Sequence, residues 1–244
     1  MSDLEKGRVE HNEVATAELN ANRTRGAGSA PHVNGHHPWN QPLAIKPVTR
    51  LGNPVPLGLT SFASTTLVLS FCNVQTRGVT EPNIVVGMTL FVGGLAQFLA
   101  GMWSFPCGNT YAATVFSAYG TFWLSYASIF IPSTGILAAY ADVPDQLHNA
   151  LGLFIITWFI FTILMLIAAL RLNVGFIVML VFLAATFLLL AIAEFQNSLA
   201  ITKAGGVIGL ITSFMAYYCA MAELLKPEDS WFTLPMGNIP KRLD

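Results

Sequence analysis

Six stretches of apolar chain, each about 20 residues long, dictate most of what this sequence can fold into. They fall at about 54–72, 82–103, 110–131, 148–170, 172–193 and 204–225. A hydrocarbon layer of about 30 Å is crossed by roughly 20 residues of helix, which satisfies its backbone groups within one segment. The breaks are short and carry turn residues: Glu81-Pro82, Ile131-Pro132-Ser133-Thr134-Gly135, Asp142 to Asp145, Arg171 with Asn173, and Lys203 ahead of Gly205. The expected fold is an all-α membrane protein, six transmembrane helices in one bundle over residues 51–225, between a tail at 1–50 and a tail at 226–244. Only 10% of the chain is charged and 54% is hydrophobic, whereas soluble domains carry roughly 25% charged residues.

The first tail sets Asp3, Glu5, Glu10, Glu13 and Glu18 against Lys6, Arg8, Arg23 and Arg25, with almost no large apolar side chains. Such a composition buries no core and reads as disordered. His32, His36 and His37 lie in it without a cysteine or regular ligand spacing beside them, so no metal site and no cofactor is expected. Cys72, Cys107 and Cys219 are scattered and support neither a disulfide framework nor a zinc site. No apolar segment with a small-residue cleavage site precedes the first span, where insertion is expected to begin. A net charge of −1 gives no basic field, and nucleic acid drops out as a partner.

Lys and Arg set the orientation. With a cytosolic N-terminus, the inside segments hold Lys6, Arg8, Arg23, Arg25, Lys46, Arg50, Arg171, Lys226, Lys241 and Arg242, and the outside loops hold only Arg77 and Lys203. Lys46, Arg50, Arg171 and Lys226, closest to the membrane, point the same way. Both termini of this multi-pass chain are therefore expected in the cytosol.

At the first span Asn53 suits a helix N-cap and Pro54 the first helical position, where no N–H is needed. Pro56 withdraws another donor, which leaves the N–H groups of Val55 and Leu57 at the positive end of the helix dipole. That end is either an anion site or simply a sharp helix stop at the membrane surface. Within the spans no Lys, Arg, Asp or His sits at mid-depth, and Glu194 and Glu223 lie at span ends. A buried carboxylate relay is missing, as is any nucleophile–base pair or ligand set, so an enzyme is not expected.

Gly87, Gly94 and Gly101 recur every seven residues in the second span, which predicts one face, with Gln97 close to it; Gly205 and Gly209 form a GxxxG in the sixth. Small residues of this kind let helices approach closely, or clear space beside a pore to which Gln97 offers a polar contact. In the third span Thr110, Thr114, Ser117, Thr121, Ser125 and Ser128 make a helical stripe at intervals of 4, 3, 4, 4 and 3. It is either a helix contact or a wet path. Tyr119 and Trp123 fall on the opposite face, and the two faces cannot both line one narrow pore.

Three motifs together resemble the acetate uptake transporter family, the bacterial succinate-acetate permeases and their fungal acetate and ammonia-export relatives. They are NPVPLGL at Asn53 to Leu59, GNTYAATVFSAYGTFW at Gly108 to Trp123, and AGGVIGL at Ala204 to Leu210. The likeness spans roughly residues 53 to 225, and the preceding tail is similar to the longer N-terminus of fungal members. The resemblance implies six helices around a path in each subunit of a hexamer in the plasma membrane, moving acetate and other short monocarboxylates, often with a proton. By motif position it places a hydrophobic constriction on Phe62, Tyr119 and Leu183. Two residues depart from the family pattern: Ser104 stands where many members carry Glu, and Tyr111 replaces a Phe. The first departure implies altered ion coupling or selectivity near the cytosolic mouth.

The missing charges and the resemblance meet in one expectation. A small carboxylic acid brings its own proton and crosses an apolar constriction neutral, whereas a bare anion needs a cationic partner there. Phe62, Tyr119 and Leu183 then filter by size and desolvation, and Asn53, Asn109 and Thr110 offer hydrogen bonds to the carboxyl group. Two alternatives stand beside this one: ammonia or ammonium export, and a non-transporting multi-span scaffold or sensor whose tails act.

Overall fold

The computed structural model describes residues 51–240; the expected disordered tail at 1–50, its three histidines, and residues 241–244 lie outside the described part. Six long helices follow one another: α1 (Val55–Asn73), α2 (Pro82–Ser104), α3 (Thr110–Phe130), α4 (Pro144–Ala169), α5 (Val174–Gln196) and α6 (Leu199–Leu224). A one-turn helix, Ile136–Ala139, interrupts the α3–α4 connection. All but α3 are long and apolar enough to cross a membrane. The 21 residues of α3 span about 31 Å at 1.5 Å per residue, and its lower hydropathy comes from the hydroxyl stripe. Boundaries differ from the sequence reading mainly at α4 and α6, which begin at Pro144 and Leu199 and so draw Asp145 and Lys203 into helix.

Helix α1 packs on α6, α6 on α5, α5 on α4, and α2 on both α1 and α3. Large aromatic side chains close the remaining seam between α3 and α4. The Tyr119 ring lies 6.0 Å from Trp158 and 5.3 Å from Phe161, Phe122 lies 5.7 Å from Phe154, and the Tyr111 hydroxyl donates to the Met165 carbonyl at 3.1 Å. The helices therefore close a ring in chain order, with the starts of α1, α3 and α5 at one end. A Phe at position 111 would lack the hydroxyl that ties this seam.

The structure revises the start of α1. Pro54 itself occupies the N-cap position, and Asn53 stands one residue earlier, its Oδ1 accepting the Val55 N–H at 3.1 Å. The Val55 donor is thus engaged by the chain's own side chain and is not open to an anion.

The glycine face on α2 is also revised. Met88–Ala96 is π-helical, and i→i+5 bonding resets the register that a strict seven-residue spacing assumes. A Cβ on Gly94 would meet Leu124 and one on Gly101 would meet the Ser117 backbone, so these two let α2 lie close against α3. Gly87 faces open space. In α6, Gly205 packs on Leu190 of α5 and Gly209 on Ser70 of α1, which seats α6 between its two neighbours.

The stripe on α3 turns outward. Thr110, Thr114, Thr121 and Ser125 are exposed and Ser117 and Ser128 half-buried. Their hydroxyls mostly bond back within the helix, Thr114 to the Thr110 carbonyl at 2.9 Å and Ser125 to the Thr121 carbonyl at 2.8 Å. Tyr119 and Trp123 turn inward, 2% and 3% exposed.

Beyond α6 the chain folds back. Asn238 pairs with Asn173 in an isolated antiparallel bridge, Val174 and Gly175 donate to the Gly237 and Met236 carbonyls at 3.0 and 3.1 Å, and Ile239 donates to the Leu172 carbonyl at 3.2 Å. The Tyr218 hydroxyl holds the Pro235 carbonyl at 2.7 Å. Residues 226–240 are thus not a free tail but a strap that uses up the first backbone donors of α5.

Candidate functional site

Two chambers lie inside the ring. The larger, about 300 Å³, opens between the starts of α1, α3 and α5. The smaller, about 70 Å³, lies toward the opposite ends of those helices. Phe62 from α1 and Leu183 from α5 stand on the walls of both chambers, and both are almost fully buried at 5% and 3% exposed. They stand between the two. The Tyr119 ring sits 6.0 Å from Phe62 and stacks at 6.4 Å on Phe187, with its hydroxyl 2.8 Å from that of Thr162. Tyr119 lines only the larger chamber, so it borders them from one side.

Three asparagines ring the wide mouth. Each precedes one of the odd-numbered helices, because an asparagine side chain accepts the backbone donors that a helix start leaves over. Asn53 takes the Val55 N–H, Asn109 the Ala112 N–H at 3.0 Å, and Asn173 the Phe176 N–H at 2.8 Å. All three line the larger chamber. Asn53 also donates through Nδ2 to Glu223 at 3.1 Å, which places a carboxylate of that chamber's wall at its mouth.

Gln97 lies deeper on the same wall, 1% exposed, and neither its amide nitrogen nor its oxygen has a hydrogen-bond partner. On the smaller chamber, among the described residues, the one carboxylate is Glu194, paired with His148 at 2.9 Å. Among the described residues, no Lys or Arg lines either chamber.

Of the residues singled out in the sequence, Asn53, Phe62, Gln97, Asn109, Tyr119 and Leu183 come together around the larger chamber. Thr110 does not. It opens α3 exposed, off the chamber wall, its carbonyl taken by Thr114. Ser104 is likewise off the path, fully buried and bonded to the Ala100 carbonyl at 2.8 Å. Asn173 and Phe187 escaped sequence reading. The first had a signal, since an asparagine one or two residues ahead of every odd-numbered span is a repeat; Phe187 had none among so many apolar neighbours.

Six long helices closed around two chambers, five of them long and apolar enough to cross a membrane, make an all-α membrane protein. The chain belongs to the GPR1/FUN34/yaaH family, whose model matches residues 37–241. It is 39% identical over 235 residues to acetate permease A of Emericella nidulans, covering 88% of this chain and 78% of that one. To ammonia transport outward protein 2 of Saccharomyces cerevisiae it is 43% identical over 204 residues, 82% of this chain and 72% of the relative. Among solved structures, that of the bacterial acetate channel SatP superposes with a TM-score of 0.69 at 35% identity, over 77% of this chain and 100% of that chain.

Proposed function

We propose that this protein carries acetate and similar short monocarboxylates across the plasma membrane, together with a proton. The observation that carries the reading is the neck. Phe62 and Leu183 stand between two chambers on whose walls the described residues place no cation, and a carboxylate stripped of water there costs several kcal/mol unless a partner or a proton offsets it. An acid that arrives with its proton avoids that cost. Phe62, Tyr119 and Leu183 act as a size and desolvation filter, and Asn53, Asn109 and Asn173 at the mouth exchange hydrogen bonds with water for bonds to the entering carboxyl group.

In this reading all six helices span the bilayer. The asparagine end, where Arg171 and Lys226 lie, faces the cytosol with both termini, and Arg77 and Lys203 lie outside. The outward hydroxyl face of α3 meets a neighbouring subunit in a hexamer, each subunit keeping its own path among the lipids. Transport, not catalysis, is the activity.

Labelled acetate uptake into proteoliposomes of the purified protein, above protein-free vesicles, tests the proposal; no excess uptake at any pH refutes it. The yeast relative's name supports a second reading, since neutral ammonia also passes an apolar neck. It predicts that an ammonium pulse alkalinises the vesicle lumen faster with the protein than without it, while acetate uptake shows no excess.

A further inference from the structure

Among the described residues, four buried side-chain atoms lack a hydrogen-bond partner: Thr66 Oγ1, Gln97 Nε2, Gln97 Oε1 and Trp123 Nε1. Every one belongs to a residue on a chamber wall. Gln97 faces the larger chamber, and Thr66 and Trp123 face the smaller. Unpaired buried groups are rare in native proteins and cost about 1–3 kcal/mol each. Other buried hydroxyls of this ring bond back to their own helices. Thr65, the residue before Thr66, bonds back to the Ser61 carbonyl at 3.0 Å, Thr186 to Phe182 at 2.9 Å and Thr212 to Ile208 at 2.9 Å. All four atoms belong to residues that line the two chambers, where a mobile partner can reach them.

We propose that Gln97 on one side of the neck, and Thr66 with Trp123 on the other, are two hydrogen-bonding stations between which the undissociated carboxylic acid passes. The inference rests on the transport reading and deepens it by naming the species carried and the groups that hold it.

Spacing supports the pair. Thr66 follows Phe62 on α1 by four residues, and Trp123 follows Tyr119 on α3 by four, so each lies about 6 Å, one helical turn, beyond its neck residue. The carboxyl group leaves Gln97, clears the neck and meets the second station without a long unbonded interval.

Chemistry selects the neutral form. The Gln97 amide offers a donor and an acceptor side by side, and a –COOH group offers their mirror image, its carbonyl accepting from Nε2 and its hydroxyl donating to Oε1. A carboxylate has only acceptors, and one of its oxygens would face Oε1 lone pair to lone pair. Trp123 Nε1–H is a donor for the carbonyl, and the Thr66 hydroxyl serves as donor or acceptor. The proton stays on the acid throughout.

The test is exchange of labelled acetate in proteoliposomes at equal pH on both sides, which removes any driving proton gradient, with protein-free vesicles subtracted. Thr66→Val, Trp123→Phe and Gln97→Met each remove the hydrogen-bonding function at similar bulk. Each is expected to slow exchange about 3- to 10-fold, the scale of one hydrogen bond, and Thr66→Ser, which keeps the hydroxyl, is expected to lose less than Thr66→Val.

Across about pH 5 to 7 the wild-type rate is expected to follow the concentration of undissociated acid, which falls tenfold per unit above a carboxylic pKa of about 4–5. The titratable groups around the stations are Glu223, Tyr111 and Tyr119 on the larger chamber and Tyr126 and Glu194, with its partner His148, on the smaller. Glu194→Gln and Glu223→Gln are expected to keep that proportionality, because the cargo titrates and not the wall.

Acetamide, which is neutral and presents the same acceptor–donor pair, is expected to compete in the wild type and to lose potency in Gln97→Met. Wild-type rates in all three station variants, rates that follow the anion across pH, or failure of acetamide to compete would each overturn the stations. Should the variants fail to assemble, the wild-type pH series and acetamide competition decide alone. A wild-type protein that exchanges no acetate removes the transport reading itself, a different result from station variants as active as a working wild type.

Discussion

Replacing Leu183 with Ala isolates the neck. The side chain is 3% exposed and is shared by chambers of about 300 and 70 Å³. Truncation removes three carbons from the wall that the two chambers share and is expected to merge the two spaces. A sealed Leu→Ala cavity costs about 2–5 kcal/mol of stability; the lower end applies here, because the lost atoms already border open space and water can enter. The effect on cargo is larger in relative terms. One methylene of misfit in a tight apolar site is worth about 1–3 kcal/mol, or 10- to 200-fold, so uptake of butyrate or succinate relative to acetate is expected to rise at least about 10-fold while acetate uptake survives. The assay is paired uptake of two labelled acids into the same proteoliposomes. Leu180→Ala is the control. Leu180 is as buried, at 1% exposed, but lines only the larger chamber, so it should lower stability comparably and leave the ratio alone. The reasoning fails if well-assembled Leu183→Ala and Phe62→Ala proteins keep the wild-type ratio, or if Leu180→Ala shifts it as much as Leu183→Ala does.

Protease added to intact cells is expected to spare tags at both ends; cleavage of either from outside reverses the orientation drawn from Lys and Arg. Changing Thr114, Ser117 and Thr121 together to Leu is expected to dissociate the oligomer on native gels before it alters the acetate-to-succinate ratio, whereas an intact oligomer with changed selectivity would put the path on the other face of α3. Gly101→Val places a side chain against the Ser117 backbone and is expected to cost about 1–3 kcal/mol, read as a lower melting temperature, while Gly87→Ala, facing open space, leaves it within a degree or two. Asn109→Ala removes the cap on Ala112 and is expected to cost about 1 kcal/mol of stability and to weaken acetate uptake at low substrate concentration.

Much of this protein is written locally. Runs of about 20 apolar residues specify membrane helices wherever they occur, and short polar breaks oblige successive helices to lie side by side, so one bundle follows from length and spacing, whereas the closure of α6 on α1 is tertiary. The asparagines ahead of α1, α3 and α5 are legible for the same reason: capping depends on a residue and the three after it. The sequence set Tyr119 and Trp123 opposite the hydroxyl stripe of α3 but left open which face turns inward; packing decided that, burying Tyr119 and Trp123.

What the tertiary structure alone decided is everything that depends on helix rotation. Apolarity all round a helix says that it is in a membrane but gives no face, so neither the neck nor its position at Leu183 can be read from α5 by periodicity. The π-helical stretch of α2 defeats a seven-residue rule because its register depends on packing against α1 and α3. It sends Gly87 to open space and, in the same helix, leaves Gln97 buried on the chamber wall. Thr66 and Thr65 are neighbours of one type in sequence. Only the assembled ring shows that one bonds to its own helix while the other is left unpaired at the smaller chamber, since hydrogen-bond satisfaction is a property of the surroundings and not of the residue.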